Sequence, residues 1–268
     1  MVIAAIDAEA RRREFQSSQP FPFVAIDDFL DRDFALEVAA SYPPYEASER
    51  VGFSFHKLNE NRKVQVTDPR LFPAPVTRLA EALGSAEFRA SVSSITGIPD
   101  LLWDDEYVGG GMHQTASSGL LDVHVDFNLV EPRRWYRRVN LLLFLNENWN
   151  ERWGGLLELW DRDVRVCHHR FVPKLNRCVI FQTSEHSFHG VTAVKCPQDR
   201  DRRSFAVYYY TVEAPQGWAG RSHSTIFKAR PDEYLKRNLL MPAARLRSHL
   251  DDGVKMAKRT VKRLLGMD

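Results

Sequence analysis

Between Leu101 and Thr211 the chain runs through eight short segments that read as β-strands, with no helical stretch among them. They cover Leu101–Tyr107, Gly119–Asn128, Val139–Leu145, Leu156–Trp160, Val164–Phe171, Cys178–Gln182, Phe188–Val194 and Ser204–Thr211. Parallel strands need long crossovers, usually helices, so connections this short demand antiparallel pairing in a sandwich or jelly roll. Gly109-Gly110-Gly111 separates the first two segments, and Trp153-Gly154-Gly155 stands just before another, where missing side chains suit a tight turn or a close backbone approach.

The flanks read differently. After a polar leader, Phe21–Ile26 is a short strand, and helical spacing of apolar residues predicts helices over Arg32–Ser41, Ala74–Leu83 and Ser85–Thr96. Pro43 and Pro44 end the first, and Gly97 and Pro99 stop the last. The polar stretch 46–68 reads as loop, with one strand around Val51–Phe55, and helix returns from about Pro231. The expected fold class is therefore mainly β with flanking helices (α+β). Residues 1–100 form a supporting strand and helices, 101–215 the β core, and 216–268 a basic helical extension. At 268 residues, 44% of them hydrophobic, the chain is long enough for one sizeable core and too short to require two full domains.

Within the β region the pattern His124-Val125-Asp126 stands out. Side chains at i and i+2 leave the same face of an extended chain, so His124 and Asp126 can grip one ion together. A second imidazole would complete the facial set that ferrous oxygenases use, which leaves the opposite positions of the ion open. His-x-Asp alone arises often by chance, and the order of strands around it is what singles it out.

Composition narrows the functional classes. A formal charge of +2 gives the whole molecule no bias toward nucleic acid or anionic surfaces. Cys167, Cys178 and Cys196 form no CxxC and no paired framework, which fits a reduced, cytoplasmic setting. The first residues lack the order of a signal peptide, and no apolar run approaches a membrane span. Charge does concentrate locally: positions 228–268 hold eleven Lys and Arg against five Asp and Glu. There Val254, Ala257, Val261, Leu264 and Leu265 share one side of a helix opposite the cations, a pattern that packs on its own domain or makes peripheral membrane contact.

From Gly109 to Thr211 the blocks GGGMHQ, SGLLDVHVDFN, RRVNLLLFLNENW, WGGLLELW, FHGVTAV and RRSFAVYYYT occur in order, and FPFVAIDDFL precedes them. Together they resemble the 2-oxoglutarate and Fe(II)-dependent oxygenase superfamily, in particular its prolyl-4-hydroxylase-like branch. The resemblance implies a double-stranded β-helix, a jelly roll whose mouth holds the metal, with the N-terminal helices packed on the sheet. It also implies Fe(II), 2-oxoglutarate and O2 as cofactor and cosubstrates, with ascorbate as an auxiliary reductant. Carried over by position, His124, Asp126 and His189 become the iron ligands, with His189 preferred to His186 because it opens a His-Gly-Val run.

The same resemblance assigns Arg203 to the distal carboxylate of 2-oxoglutarate, a task that a planar two-donor fork suits. Ser204, Asn140 and Tyr107 join it as cosubstrate candidates, and His113, Gln114, Trp135 and Arg138 as candidates for the substrate mouth. The implied activity is hydroxylation of a C–H bond in a peptidyl proline, an amino acid or a glycan, with release of succinate and CO2. The competing classes are a noncatalytic metal-binding jelly roll and a Zn hydrolase on the same ligands, neither of which requires the arginine.

Overall fold

The computed structural model describes residues 2–218 and 220–243. Contacts divide the chain into two units, Met1–Phe227 and Lys228–Asp268. In the second, the described residues hold a short π-helix, Lys236–Leu240. The basic helix expected over 254–265 lies outside the described residues.

The first unit opens with helix α1, Ala8–Ser17, where a polar leader was expected. Asp7 caps it by accepting from the Ala10 amide, and the pairs Glu9–Arg13 and Arg11–Glu14 brace its surface. Its only buried side chain is Phe15, so a lone apolar residue in a charged run carried no periodic signal. Strand β1, Phe23–Ile26, and helix α2, Arg32–Ser41, follow as expected, α2 capped by Asp31. The stretch expected to be mostly loop instead contains α3, Tyr45–Val51, and the hairpin β2, Phe53–His56, with β3, Glu60–Val66. Two helices, α4 (Ala74–Gly84) and α5 (Ala86–Thr96), complete the N-terminal half.

The remaining strands are β4 (Leu102–Trp103), β5 (Gly111–Val125), β6 (Leu129–Val130), β7 (Trp135–Phe144), β8 (Leu157–Trp160), β9 (Cys167–Phe171), β10 (Arg177–Gln182), β11 (His189–Val191), β12 (Asp201–Thr211) and β13 (Ile226–Lys228). The segment 101–107 shrinks to two strand residues, and β5 begins eight residues before the expected start, since the triple glycine leads straight into the ladder. All named pairings are antiparallel, along the path β1-β10-β7-β12-β5-β11-β8-β9, with β3 also on β5 and β2 on β3.

One face of this sheet packs on the helices: Val139, Leu141, Leu143, Ile180, Phe205, Val207 and Tyr209 share a cluster with Val38, Val76, Leu79, Leu83, Val92 and Ile95. On the other face Phe144, Val179 and Phe181 meet Leu157 and Leu159. Strands β7 and β10 thus touch β8, which is distant along the path, so the sheet curls back on itself in a jelly-roll-like arrangement. Because β5 is long, its first half pairs with β12 and its last residues with β11, and its end therefore faces into the curl.

Candidate metal and anion site

His124 and Asp126 close β5, and His189 opens β11 directly opposite His124 in the ladder. Gly190 eases that pairing: a Cβ there would lie 3.1 Å from the Val123 backbone, closer than most real side chains approach, so the strands would have to part by a few tenths of an ångström. One ligand atom from each of His124, Asp126 and His189 lies within 4.8 Å of the others. His124 Nε2 stands 3.6 Å from one Asp126 oxygen and His189 Nε2 3.8 Å from the other.

Each imidazole is held in the same way. His124 Nδ1 sits 2.8 Å from the Asp122 carbonyl and His189 Nδ1 2.9 Å from the Ser187 carbonyl. A carbonyl only accepts, so both Nδ1 atoms carry the proton and both Nε2 lone pairs are free to bind a cation. His186, three positions away, is exposed and takes no part.

Asp126 is positioned by two further side chains. Asn140 Nδ2 donates to one of its oxygens at 3.1 Å, and Arg137 Nη1 stands 3.2 Å from the other. The Arg137 guanidinium is sandwiched 3.6 Å from the ring centres of Phe127 and Tyr208. Burial alone would raise the Asp126 pKa, but Arg137, His189 and His124 together hold it well below the usual carboxylate range. Burial, aided by the neighbouring His124 ring, pushes the His189 imidazole down to about 4. Asp126 and His189 are thus in their metal-binding protonation states at neutral pH without an ion to enforce them.

These ligands line a cavity of about 240 Å3. Its floor consists of two cross-strand rows, set by the registers of β3, β5 and β12. Lys63, Thr115 and Arg202 form one row, and Gln65, His113 and Ser204 the next. Arg202 is buried; its Nε donates to the Gly155 carbonyl at 2.7 Å and its Nη1 to Ser204 Oγ at 3.4 Å. Gly155, at φ 68°, leaves room for this approach, since a Cβ would meet Arg202 Cδ at 3.0 Å. No carboxylate pairs with Arg202 among the described residues, and burial lowers its pKa to about 10. A buried guanidinium without a counterion is a site for an anion.

Arg203, expected to fill this role, points away from the cavity. It lies on the opposite face of β12, in bidentate contact with Asp201 and bonded to the Ala39 carbonyl. One residue of register separates the two, and a slip of one moves a side chain to the other face. The same alternation removes Gln114, which bonds Ser48, the Pro43 carbonyl and Asp201 behind the sheet. Tyr107 also leaves the site: it packs edge-on against Phe72 and Trp103 on the helical side. Trp135 lies near Tyr210 with Arg133 over its ring, and Arg138 bonds Thr211 Oγ1, both outside the cavity lining. Asn140, Ser204 and His113 do line the cavity. Sequence reasoning missed Arg202, Lys63, Thr115 and Arg137.

Residues 110–210 match the family described as 2OG-Fe(II) oxygenase superfamily. Over 78 residues, 28% of this chain, the sequence is 32% identical to a Mus musculus protein described as prolyl 3-hydroxylase OGFOD1, and that stretch spans 14% of the relative's length. The fold resembles a Pseudomonas putida prolyl-4-hydroxylase, with a TM-score of 0.56 at 19% identity over 76% of this chain and 98% of that one. It also resembles a prolyl hydroxylase from Trichoplax adhaerens, solved with a hypoxia inducible factor oxygen degradation domain peptide fragment. There the TM-score is 0.54 at 16% identity, over 76% of this chain and 90% of the other. The span that matches the 2OG-Fe(II) oxygenase superfamily contains the His–Asp–His cluster and the buried Arg202, and the prolyl hydroxylase structures share its fold.

Proposed function

We propose that this protein is a 2-oxoglutarate and Fe(II)-dependent dioxygenase that hydroxylates a C–H bond, on a double-stranded β-helix. The observation that carries the reading is the pairing, in one cavity, of a two-imidazole, one-carboxylate cluster with a buried arginine that has no carboxylate partner among the described residues. The donor set fits ferrous iron: three ligands on one side, with the other side facing the cavity. An Fe(II) ion held by His124, Asp126 and His189 would supply the redox chemistry, with 2-oxoglutarate and O2 consumed and succinate and CO2 released.

The protein's own residues do the rest. The Asp122 and Ser187 carbonyls aim the two Nε2 atoms, while Arg137 and Asn140 keep the Asp126 carboxylate ionised and oriented. Arg202, with Ser204 beside it, receives the distal carboxylate of the cosubstrate in place of Arg203. Phe181 and Phe227, whose rings lie 4.7 Å from His189 and 5.5 Å from His124, exclude water from the ligands.

The substrate class is open to a peptidyl proline, a free amino acid or a glycan, and the prolyl hydroxylases it resembles make prolyl peptides the first to screen. A cytoplasmic setting is supported by three free cysteines. Among the described residues no helix is long and apolar enough to cross a membrane. The test is succinate formation by the full chain with Fe(II), 2-oxoglutarate and O2, screened against these pools. Turnover that disappears in His124→Ala and Asp126→Ala supports the reading. A wild-type protein that binds Zn(II) and hydrolyses substrate, with no 2-oxoglutarate consumption, overturns it.

A further inference from the structure

The cavity floor contains a second cation. Lys63 stands in the same cross-strand row as Arg202, separated from it only by Thr115. Neighbouring strands lie about 4.8 Å apart, so the two backbones are about 10 Å apart and both long side chains reach over the intervening threonine. Both charges act on one neighbour: the buried His113 imidazole is held well below its ordinary pKa by burial first, then by Lys63, with Arg202 adding to the effect.

The Lys63 ammonium is almost fully enclosed, with 11% of its side chain exposed, and lies 5.1 Å from the Phe55 ring centre. Its anionic partner is Glu60, at 3.0 Å, which also lines the cavity. An ammonium has three donors, and one bond to Glu60 leaves two. Lys63, Arg202 and Glu60 together leave one positive charge uncompensated in an enclosed space, which a single carboxylate would balance.

We propose that Lys63 is a second cosubstrate-binding residue: the distal carboxylate of 2-oxoglutarate is received between Arg202 and Lys63, and Glu60 competes with it for the ammonium. The inference rests on the cosubstrate reading above and goes beyond it, since a strand outside the matched span 110–210 contributes to the anion site.

The test is equilibrium binding to the full chain, loaded with Fe(II) under nitrogen. The ligands are 2-oxoglutarate and pyruvate, which share the 2-oxoacid head but differ in the distal carboxylate. Lys63→Met should raise the Kd for 2-oxoglutarate about 10-fold, the scale of one charge-assisted hydrogen bond, and leave that for pyruvate unchanged. Lys63→Arg should retain wild-type affinity, which separates a charge requirement from a folding defect. Glu60→Gln should tighten 2-oxoglutarate binding in the wild-type background and have no effect in Lys63→Met, a coupling that a merely structural pair would not produce. If Lys63→Met binds 2-oxoglutarate normally while Arg202→Met does not, Lys63 is only a partner of Glu60 and the inference is overturned with the cosubstrate site intact. If wild-type protein binds iron but not 2-oxoglutarate, the cosubstrate reading itself falls, and this inference with it.

Discussion

At the scale of single residues the account turns on two adjacent arginines with opposite surroundings. Arg202 lines the cavity of the His–Asp–His cluster and has no carboxylate partner among the described residues, whereas Arg203 lies outside that cavity and is paired with Asp201. Arg202→Met should raise the 2-oxoglutarate requirement for turnover about 100-fold, as expected for losing a bidentate charged contact. Arg203→Met should leave that requirement unchanged and cost about 1–3 kcal/mol of stability, because it strands the buried Asp201 carboxylate. Steady-state kinetics and urea unfolding on the same two variants separate these outcomes. His189 adds a pH dependence. Its folded pKa of about 4 lies below the ordinary 6.5, so as pH falls the unfolded chain takes up the proton first. The metal-free protein should therefore hold this contribution in full above about pH 6.5 and lose up to about 3 kcal/mol of it by pH 4. Urea titrations across that range should show the slope in wild type and flatten it in His189→Phe; a slope unchanged by that substitution would assign it to other groups.

At the scale of elements, the site depends on how closely β11 lies on β5. Gly190 sets that spacing, so Gly190→Ala should push His189 away from His124 and weaken iron binding about 10-fold or more, with secondary structure preserved. Measured metal stoichiometry beside circular dichroism checks this, and an unaltered iron affinity would show that the approach is not limiting. The elements also explain what the sequence could and could not reveal. His124 and Asp126 were legible because the i, i+2 spacing puts them on one face of a strand, and His189 was legible through the resemblance carried by its His-Gly-Val run. The choice between Arg202 and Arg203 was not, because β12 is buried on both faces from Ser204 onward and Phe205–Ala206–Val207 shows no apolar and polar alternation. Helix α1 escaped notice for the opposite reason, since it buries Phe15 alone. Strand β3 was hidden by its own composition: Glu60, Lys63 and Gln65 look like loop until their neighbour is seen to be a polar cavity rather than solvent.

At the scale of the first unit, helices and sheet share one core, while the curl of the sheet leaves a polar cavity inside it. That cavity holds the charges of Arg137, Arg202, Lys63, Asp126 and Glu60, a costly set to enclose without ligands. Iron and cosubstrate should therefore act as folding partners: at about 100 times Kd for 2-oxoglutarate, the iron-loaded protein should gain about 2.7 kcal/mol, read as a rise in thermal midpoint that Arg203→Met retains and Asp126→Ala loses. The most direct test of the central claim, that one cavity joins the His–Asp–His cluster to Arg202, is anaerobic titration of the Fe(II)-loaded protein with 2-oxoglutarate, followed by the visible charge-transfer absorption of the chelate. Wild type and Arg203→Met should develop the band at the same cosubstrate concentration, and Arg202→Met only at about 100-fold more. No band from iron-loaded wild type, or a band that survives Arg202→Met unshifted and fails in Arg203→Met, would contradict it.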